Sequence, residues 1–181
     1  LPAGTYSATF EWDGVNWTQL NPATSPPALT EHAMTFDLIR GVVVLQGGRD
    51  SMGKVQDTWE WNGTTWTQVA LLNPAPMVAQ HELVYDVFRS RTILFGGDNA
   101  SGISAETWEY DGTAWSQVGT TNAPGGRIEF AMVLDVFRQR TVVFGGQGGG
   151  FGVLDDIWTY DGATATWTQQ VPAQSPPGRY G

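Results

Sequence analysis

A repeat of about 50 residues runs through the chain and limits what it can fold into. Three glycine pairs recur at an interval of 49 residues: Gly47-Gly48, Gly96-Gly97 and Gly145-Gly146. An aspartate, an arginine and a tryptophan keep the same spacing, beginning at Asp37, Arg40 and Trp17. A period of about 50 residues is typical of propeller arrays rather than of helical solenoids.

Each repeat contains four short stretches with strand character, separated by turn residues. In the second complete copy these are residues 81–85, 91–95, 107–110 and 114–118, and an Asp-Gly hairpin signal lies between the last two. No segment keeps a helical periodicity, so we expect almost no helix. Four strands per repeat correspond to one propeller blade.

The second strand of each repeat is nearly all apolar, over residues 42–45, 93–95 and 142–144. We therefore expect this strand to be buried on both faces, between neighbouring blades. The glycine pair that follows permits a sharp turn at positive φ. Tryptophans of strands three and four can bury large areas between sheets. We interpret these as packing residues: Trp59, Trp108, Trp158, Trp66, Trp115 and Trp167.

Composition excludes several classes of function. The 181 residues include no cysteine, which excludes disulfides, thiolate metal sites and cysteine nucleophiles. Nine Lys and Arg residues against 18 Asp and Glu residues give a net charge of −9. This balance argues against nucleic acid and against an anionic membrane surface as partners. No apolar run approaches the length of a membrane span, so we expect no membrane insertion.

The order of these features resembles the kelch repeat. The resemblance rests on the glycine pair that ends strand two, the Trp-x-Trp/Tyr pattern of strand three and a further tryptophan beyond the next turn. Residues 124–127 and 176–180 are similar to the kelch segment that leads into strand one. The resemblance implies an all-β fold, a kelch-like β-propeller arc of four-stranded antiparallel blades. It also implies a binding scaffold, although the fold hosts enzymes as well.

Two repeat positions depart from a uniform pattern. Leu29 and Val78 occupy, in the first two complete copies, the position where the kelch repeat has arginine. Phe130 of the third copy replaces His32 and His81. The inner rim therefore varies from blade to blade, which argues against a ligand site with ring symmetry.

The repeat register divides the chain into an incomplete set of blades. Residues 1–20 supply strands three and four, residues 21–70, 71–119 and 120–171 supply three complete blades, and residues 172–181 lead into a further strand one. A propeller normally closes with about four blades or more. An open arc exposes an apolar face at each end. We therefore expect other residues or other chains to complete the ring, and the isolated chain not to be a stable monomer.

The two histidines occupy the same repeat position, at His32 and His81. Such a pair can hold a metal or act as a general base, but we interpret both as packing residues of the blade. A channel-centred enzyme is an alternative, and its candidate residues are Glu31, Glu129, Arg127 and Arg179. The copper radical oxidases with kelch-like repeats need a Cys–Tyr cross-link, which the absence of cysteine excludes here.

Two repeated turn motifs are interpreted as structural. In each Asp-x-x-Arg turn, we expect the aspartate to accept backbone N–H bonds and the arginine to cover it. These pairs are Asp37/Arg40, Asp86/Arg89 and Asp135/Arg138. The Asp-Gly and Asn-Gly pairs that begin at residues 13, 62, 111 and 161 are expected to form hairpin turns.

The loops after the glycine pairs differ most between copies, over residues 49–56, 98–105 and 147–155. In a propeller they share one face with the connectors between blades, and variable loops on a fixed scaffold are where binding usually occurs. The third loop lacks the Lys-Ser/Thr of a phosphate-binding loop. Asp155-Asp156 offers too few carboxylates for a calcium site. We predict a binding surface on this face with these residues: Arg49, Asp50, Asp98, Asn99, Arg127, Glu129, Phe151 and Arg179.

The sequence thus predicts a non-catalytic binding or assembly module without cofactor or metal. Its expected partner is a protein, or further copies of the chain. The alternative is carbohydrate binding by exposed tryptophan and tyrosine on the variable-loop face. A single lysine, Lys54, and many Thr, Gln, Asn, Gly and Trp residues without cysteine fit a secreted or cell-surface protein of a bacterium, an expectation from composition alone.

Overall fold

The computed structural model describes residues 6–150 and 152–180, and this part of the chain is all β, without a helix. Accordingly, none of it forms a helix that could span a membrane. Strands are numbered in chain order. The first two, β1 (Thr9–Trp12) and β2 (Trp17–Leu20), form an antiparallel hairpin that we call the half blade.

Three four-stranded antiparallel sheets follow, which we call blades A, B and C. In sheet order, blade A consists of β3 (Ala33–Asp37), β4 (Val42–Gln46), β7 (Thr58–Trp61) and β8 (Trp66–Gln68). Blade B consists of β9 (Glu82–Asp86), β10 (Arg91–Phe95), β13 (Thr107–Tyr110) and β14 (Trp115–Val118). Blade C consists of β16 (Ala131–Asp135), β17 (Arg140–Phe144), β19 (Ile157–Asp161) and β20 (Thr166–Gln170).

Short strand pairs accompany the blades. These are β5 (Arg49–Asp50) with β6 (Gly53–Lys54), β11 (Asp98–Asn99) with β12 (Gly102–Ile103), and β15 (Arg127–Ile128) with β18 (Gln147–Gly148). The first strands of neighbouring blades contact each other, β3 with β9 and β9 with β16. Strand one therefore lies at the inner edge of an arc of blades.

The core lies in the seams between blades. The A–B seam contains Ala33, Val44, Ala75, Val78, Leu83, Leu94, Tyr110 and Trp115. The B–C seam contains Val84, Ile93, Phe95, Phe130, Val143, Tyr160 and Trp167. Leu29, Leu45 and Trp66 form a smaller cluster in blade A, on the side of the half blade. The predicted packing role of the strand-four tryptophans is confirmed, because Trp66, Trp115 and Trp167 are all buried.

The second strand is buried on both faces only where blades lie on both sides of it. In β10 of blade B, Ile93, Leu94 and Phe95 are at most 1% exposed. In β17 of blade C, Val142 and Phe144 are partly exposed because their side of the sheet lies at the end of the arc. The prediction of full burial for all three copies is therefore wrong for the terminal blades.

The repeated turns have the predicted structural role. Asp37 Oδ1 accepts the backbone N–H groups of Ile39 and Arg40, and the Arg40 guanidinium donates to Asp37 Oδ2 at 2.6 Å. Asp135 makes the same set of bonds with its own turn and with Arg138. The hairpin residues Asp13, Asn62 and Asp111 likewise accept two backbone N–H bonds each.

The arc is not closed within the described residues, and each end exposes an apolar blade face. Met34 and Phe36 of β3 are 52% and 51% exposed on the side of the half blade, whose described residues form only β1 and β2. Val133 of β16 is 59% exposed at the other end. Leu83 and Val84 of β9 are buried, because blade B has a neighbour on both sides.

Candidate functional site

The loops that follow the glycine pairs share one face of the arc with the connectors between blades, as predicted. Thr30 pairs with Arg49 in blade A, and Ala79 pairs with Asp98 in blade B. In blade C, Ile128 pairs with Gln147. We call this surface, formed by residues 49–54, 98–103 and 147–148 with their connectors, the loop face.

The second glycine of each pair forms a backbone hydrogen bond to the connector that leads into the next blade. The backbone N–H of Gly48 donates to Val78 O, that of Gly97 to Arg127 O, and that of Gly146 to Arg179 O, each at 2.9 Å. The first glycine makes room for the same approach. Gly96 has a φ of +70°, and a Cβ there would lie 2.7 Å from Arg127 O, so the position requires glycine.

Charged side chains form a network on the loop face, which we call the rim network. The Arg49 guanidinium donates to Glu31 Oε2 at 2.7 Å and to Asp98 Oδ2 at 2.5 Å. Lys54 Nζ lies 2.7 Å from the same Asp98 oxygen and donates to Asn99 O at 2.7 Å. Because Arg49 and Lys54 belong to blade A and Asp98 to blade B, the network ties the two blades together.

The contacts of the rim network shift the pKa values of Asp98 and Arg49. Burial opposes ionisation of Asp98, but the hydrogen bonds and charges of Lys54 and Arg49 outweigh it and lower the pKa of this carboxyl. The hydrogen bond to Glu31 is the main reason that the pKa of Arg49 is raised, with a smaller contribution from Asp98. Asp98 and Arg49 are therefore both charged around neutral pH.

A row of three side chains with unusual backbone conformation lies just before strand one of the blades. Glu31, Gln80 and Glu129 occupy the same repeat position and have φ values of 58°, 57° and 53°. The backbone N–H of Gln80 donates to Glu31 O at 2.9 Å, and Gln80 Nε2 donates to Glu129 Oε1 at 3.2 Å. We call this set the inner row. Positive φ at residues other than glycine is uncommon and clusters at functional sites.

The structure brings together four of the predicted binding residues on the loop face. Arg49, Asp98 and Asn99 belong to the rim network, and Glu129 belongs to the inner row. Asp50 lies on the same face, but its Oδ1 accepts the backbone N–H groups of Met52 and Gly53 and so closes the β5–β6 turn. Phe151 lies outside the described residues.

The remaining two predicted residues have different surroundings. Arg127 is 1% exposed, and its guanidinium donates to both oxygens of Asp156, at 2.7 and 3.0 Å, and to Gly145 O. Its inclusion in the binding surface is wrong, because a buried and fully partnered guanidinium has no access to a ligand. Arg179 lies at the exposed end of blade C, with its guanidinium 5.9 Å from the centre of the Phe144 ring.

Sequence reasoning missed Lys54 and Gln80 as members of this surface and placed Glu31 only in the enzyme alternative. Lys54 is the one lysine of the chain, and it contacts the acidic residue that starts the equivalent loop of the next blade. Gln80 shares the repeat position of Glu31 and Glu129. The sequence feature that could have identified Glu31 and Gln80 is a polar residue that recurs at the same repeat position, shortly before strand one of each blade.

The histidines do not form a catalytic pair. His81 is 3% exposed and packs against Gly47 and Gly97. Burial, with a smaller contribution from the charge of His32, lowers the pKa of His81 to about 3. Within the described ranges, no group of three or more His, Asp and Glu side chains is placed to hold a metal ion. The carboxylate of Asp156, one of the two weighed for calcium, is bound by Arg127 and Trp158.

The loops of the loop face contain no tryptophan or tyrosine. Exposed tryptophans lie instead on the half blade, where Trp12 is 50% and Trp17 is 67% exposed. They border a groove of about 500 Å³ between the half blade and blade A, where Met34 and Trp61 lie on the opposite wall. The variable loops themselves therefore present no such ring, but Tyr180, which follows the connector residue Arg179, is 51% exposed. Carbohydrate binding on the loop face stays a prediction.

Comparison with known proteins agrees with the repeat architecture. Residues 6–181 match the KLHDC2/KLHL20/DRC7 Kelch-repeats domain. No match was found among curated proteins. Because the family match covers almost the entire chain and the structure shows its repeated four-stranded sheets, the protein belongs to the Kelch-repeat family.

Proposed function

We propose that this Kelch-repeat domain binds a protein partner through the loop face, at the inner row and the adjoining rim network. Kelch-repeat domains commonly bind proteins and are usually non-catalytic. The observation that carries the proposal is the repeated positive φ of Glu31, Gln80 and Glu129. A strained conformation at three equivalent positions holds polar side chains at one edge of the arc, where a partner can reach them.

The charge of this surface favours a basic segment as the partner. The chain has a net charge of −9. Glu129 is exposed, and in the described part of the chain its carboxylate has a hydrogen-bond donor in Gln80 and no cationic partner. A lysine or arginine of a partner would supply the missing positive charge. Complementary charge raises both specificity and the rate of association.

Selection of peptides from a random displayed library tests this proposal. We expect the selected peptides to be rich in lysine and arginine and their binding to weaken at high salt. Glu129→Gln is expected to raise the Kd about fivefold or more, since one charge-assisted contact is worth roughly 1 kcal/mol or more. Glu11→Gln is the matched control, because it removes the same charge from the exposed strand β1 of the half blade.

Two outcomes would contradict binding at the inner row. Selected peptides without basic residues, or a basic peptide with equal Kd for Glu129→Gln and Glu11→Gln, would place binding elsewhere. The secreted or cell-surface location inferred from composition is part of the proposal, and fractionation of cells that express the natural gene tests it.

Self-association is a second candidate role, favoured by the apolar faces at both ends of the arc. Met34 and Phe36 at one end and Val133 at the other are each more than half exposed. Burial of such faces against another blade would remove apolar surface from water. Sedimentation velocity across a range of concentrations is expected to show species larger than 19.7 kDa, and a Met34→Lys variant to shift the distribution towards the monomer. A concentration-independent monomer would contradict this role.

A further inference from the structure

The two seams between complete blades differ at several repeat positions, among them two that face each other across the seam. In the B–C seam, Phe95 and Phe130 form an edge-to-face pair with ring centres 5.7 Å apart. In the A–B seam, the equivalent residues are Gln46 and His81. The two seams are built from the same repeat, so Gln46 can be compared with Phe95 and His81 with Phe130 at equivalent positions.

His81 and Phe130 occupy the same place relative to the preceding blade. A Cβ on Gly47 would lie 3.0 Å from His81 Cε1, and a Cβ on Gly96 would lie 2.8 Å from Phe130 Cε1. Each ring therefore packs directly on the first glycine of the pair in the neighbouring blade. A polar ring fills in one seam the space that an apolar ring fills in the other.

The polar pair of the A–B seam is buried and incompletely hydrogen-bonded. Gln46 is fully buried, and its Nε2 donates to Pro76 O at 3.2 Å. Gln46 Oε1 and both ring nitrogens of His81 have no hydrogen-bond partner within the described residues. A neutral imidazole tolerates this site, whereas a protonated imidazole would place an uncompensated charge in the core.

Burial of His81 outweighs the favourable contribution that the backbone of Gln46 makes to the protonated imidazole. His32, which packs against Gly48 of blade A, is the titratable group whose charge acts on His81, and it disfavours protonation. The connector of residues 75–79 carries no titratable side chain. Glu82 follows His81 in the chain, and its side chain belongs to the opposite face of the sheet, towards blade C.

The acidic residues of the loop face are already engaged by cations. Asp98 follows Gly97, against which His81 packs, and it is paired with Arg49 and Lys54. Glu31 precedes His32 and is paired with Arg49. These carboxylates are therefore paired with the cations of the rim network and do not compensate a charge on the imidazole of His81.

We propose that the A–B seam is an acid-sensitive joint, which opens when His81 takes up a proton, while the B–C seam stays closed under the same conditions. A proton binds the exposed imidazole of the open form more tightly than the buried imidazole of the closed form. Stability of the seam is therefore fully present above the ordinary histidine pKa of about 6.5 and is lost progressively as the pH falls below it.

Two interblade hydrogen bonds report on this seam separately from the other. The backbone N–H groups of Gly48 and Gln80 donate to Val78 O and Glu31 O across the A–B seam. The backbone N–H of Gly97 donates to Arg127 O across the B–C seam. Amide exchange followed by NMR, corrected for the intrinsic pH dependence of exchange, measures the opening of each seam in one sample.

The expected result is a selective loss of protection. Between pH 7.5 and pH 5.5, the protection factors of Gly48 and Gln80 are expected to fall about tenfold, because the open form gains that much from protonation of a free imidazole. The protection factor of Gly97 is not expected to fall, and it is expected to rise as Glu82, whose side chain lies on the side of blade C, takes up its own proton. An equal fall for Gly48 and Gly97, or no fall for Gly48, would overturn the proposal.

Variants that copy the other seam complete the test. His81→Phe, alone or with Gln46→Phe, reproduces the Phe95–Phe130 pair and is expected to abolish the acid-induced change at Gly48. His81→Gln serves if the phenylalanine variants do not fold, since it is polar but does not titrate. Retention of the tenfold change in these variants would overturn the assignment to His81. His32→Gln is the matched control and is expected to retain most of the change.

A consequence for binding rests on the function proposed above. The rim network links Arg49 of blade A with Asp98 of blade B across the same seam. Opening of the seam would separate these side chains and disassemble the binding surface at acid pH. The amide measurements need no partner, so they remain decisive for the seam even if the loop face proves not to bind peptides.

Discussion

The indole Nε1 of Trp115 donates a hydrogen bond of 3.0 Å to Thr58 Oγ1, and both residues are 1% exposed. Trp115 belongs to blade B and Thr58 to blade A, so the bond crosses the seam between two sheets. Trp167 and Thr107 repeat it between blades B and C at 3.1 Å. The repeat thus fixes the rotation between blades with a directional bond as well as with apolar packing.

Thr58→Val is expected to lower the free energy of unfolding by about 2 kcal/mol. The substitution conserves the volume of the side chain but leaves the buried indole N–H of Trp115 without an acceptor, which costs about 1–3 kcal/mol. Urea unfolding followed by tryptophan fluorescence measures the loss. Thr67→Val, at an exposed position of β8, is the control and is expected to change stability by less than about 0.5 kcal/mol. Equal effects of the two substitutions would contradict this role of Thr58.

Truncation of Asp156 is expected to lower the free energy of unfolding more than truncation of its ion-pair partner Arg127. Asp156→Ala leaves the guanidinium of Arg127, which is 1% exposed, as an uncompensated charge, and is expected to cost about 3–5 kcal/mol. Arg127→Leu adopts the residue type of Leu29 at the same repeat position. It leaves a partly exposed carboxylate that still accepts from Trp158 at 2.6 Å, so a smaller loss is expected. Equilibrium unfolding of both variants gives the order, and the reverse order would refute the argument.

Substitution of Gly96 by alanine is expected to be far more damaging than the same change at another glycine with positive φ. A Cβ at Gly96 would meet Arg127 O at 2.7 Å and Phe130 Cε1 at 2.8 Å. Alanine at this position would strain the backbone and displace the connector that contains Arg127. Together these effects are expected to lower the free energy of unfolding by about 3 kcal/mol or more. Gly63 has a φ of +90° but open space around it, so Gly63→Ala is expected to cost about 1 kcal/mol. Thermal unfolding of both variants compares them, and similar midpoints would argue against the close approach.

Much of the fold could be predicted from the sequence because the repeat places equivalent residues in equivalent surroundings. The alternation in β9 and the apolar run of β10 mark strands one and two, and the Asp-Gly pair marks the turn after β13. The short pairs such as β15 with β18 were not predicted, because a two-residue strand has no periodicity. Their pairing depends on where the connector returns in three dimensions.

The candidate site was only partly predictable, for two physical reasons. Whether an arginine is free depends on its partners, and Arg127 meets Asp156 from a segment 29 residues away. The positive φ values of Glu31 and Gln80 cannot be read from residue type, since neither is glycine. In this conformation the backbone N–H of Gln80 donates to Glu31 O of the neighbouring blade, a contact between segments that the sequence pattern does not reveal. The rim residues Arg49 and Asp98 were found because variable loops on a repeated scaffold lie on one face.

Glu82 is expected to destabilise the fold at neutral and alkaline pH. Burial raises the pKa of its carboxyl from 4.5 to about 7, because the charged form is disfavoured beside blade C. The folded pKa lies above the unfolded one, so the stability linked to the protonated form is fully present below pH 4.5 and is lost as the pH rises through 7.

Glu82→Gln keeps the shape of the protonated glutamate but cannot titrate. It is expected to match the natural protein at pH 4.5 and to exceed its unfolding free energy increasingly up to pH 8, as urea unfolding at several pH values would measure. Glu11→Gln, at an exposed position of β1, is expected to show no such divergence, and a pH-independent difference for Glu82→Gln would refute the argument.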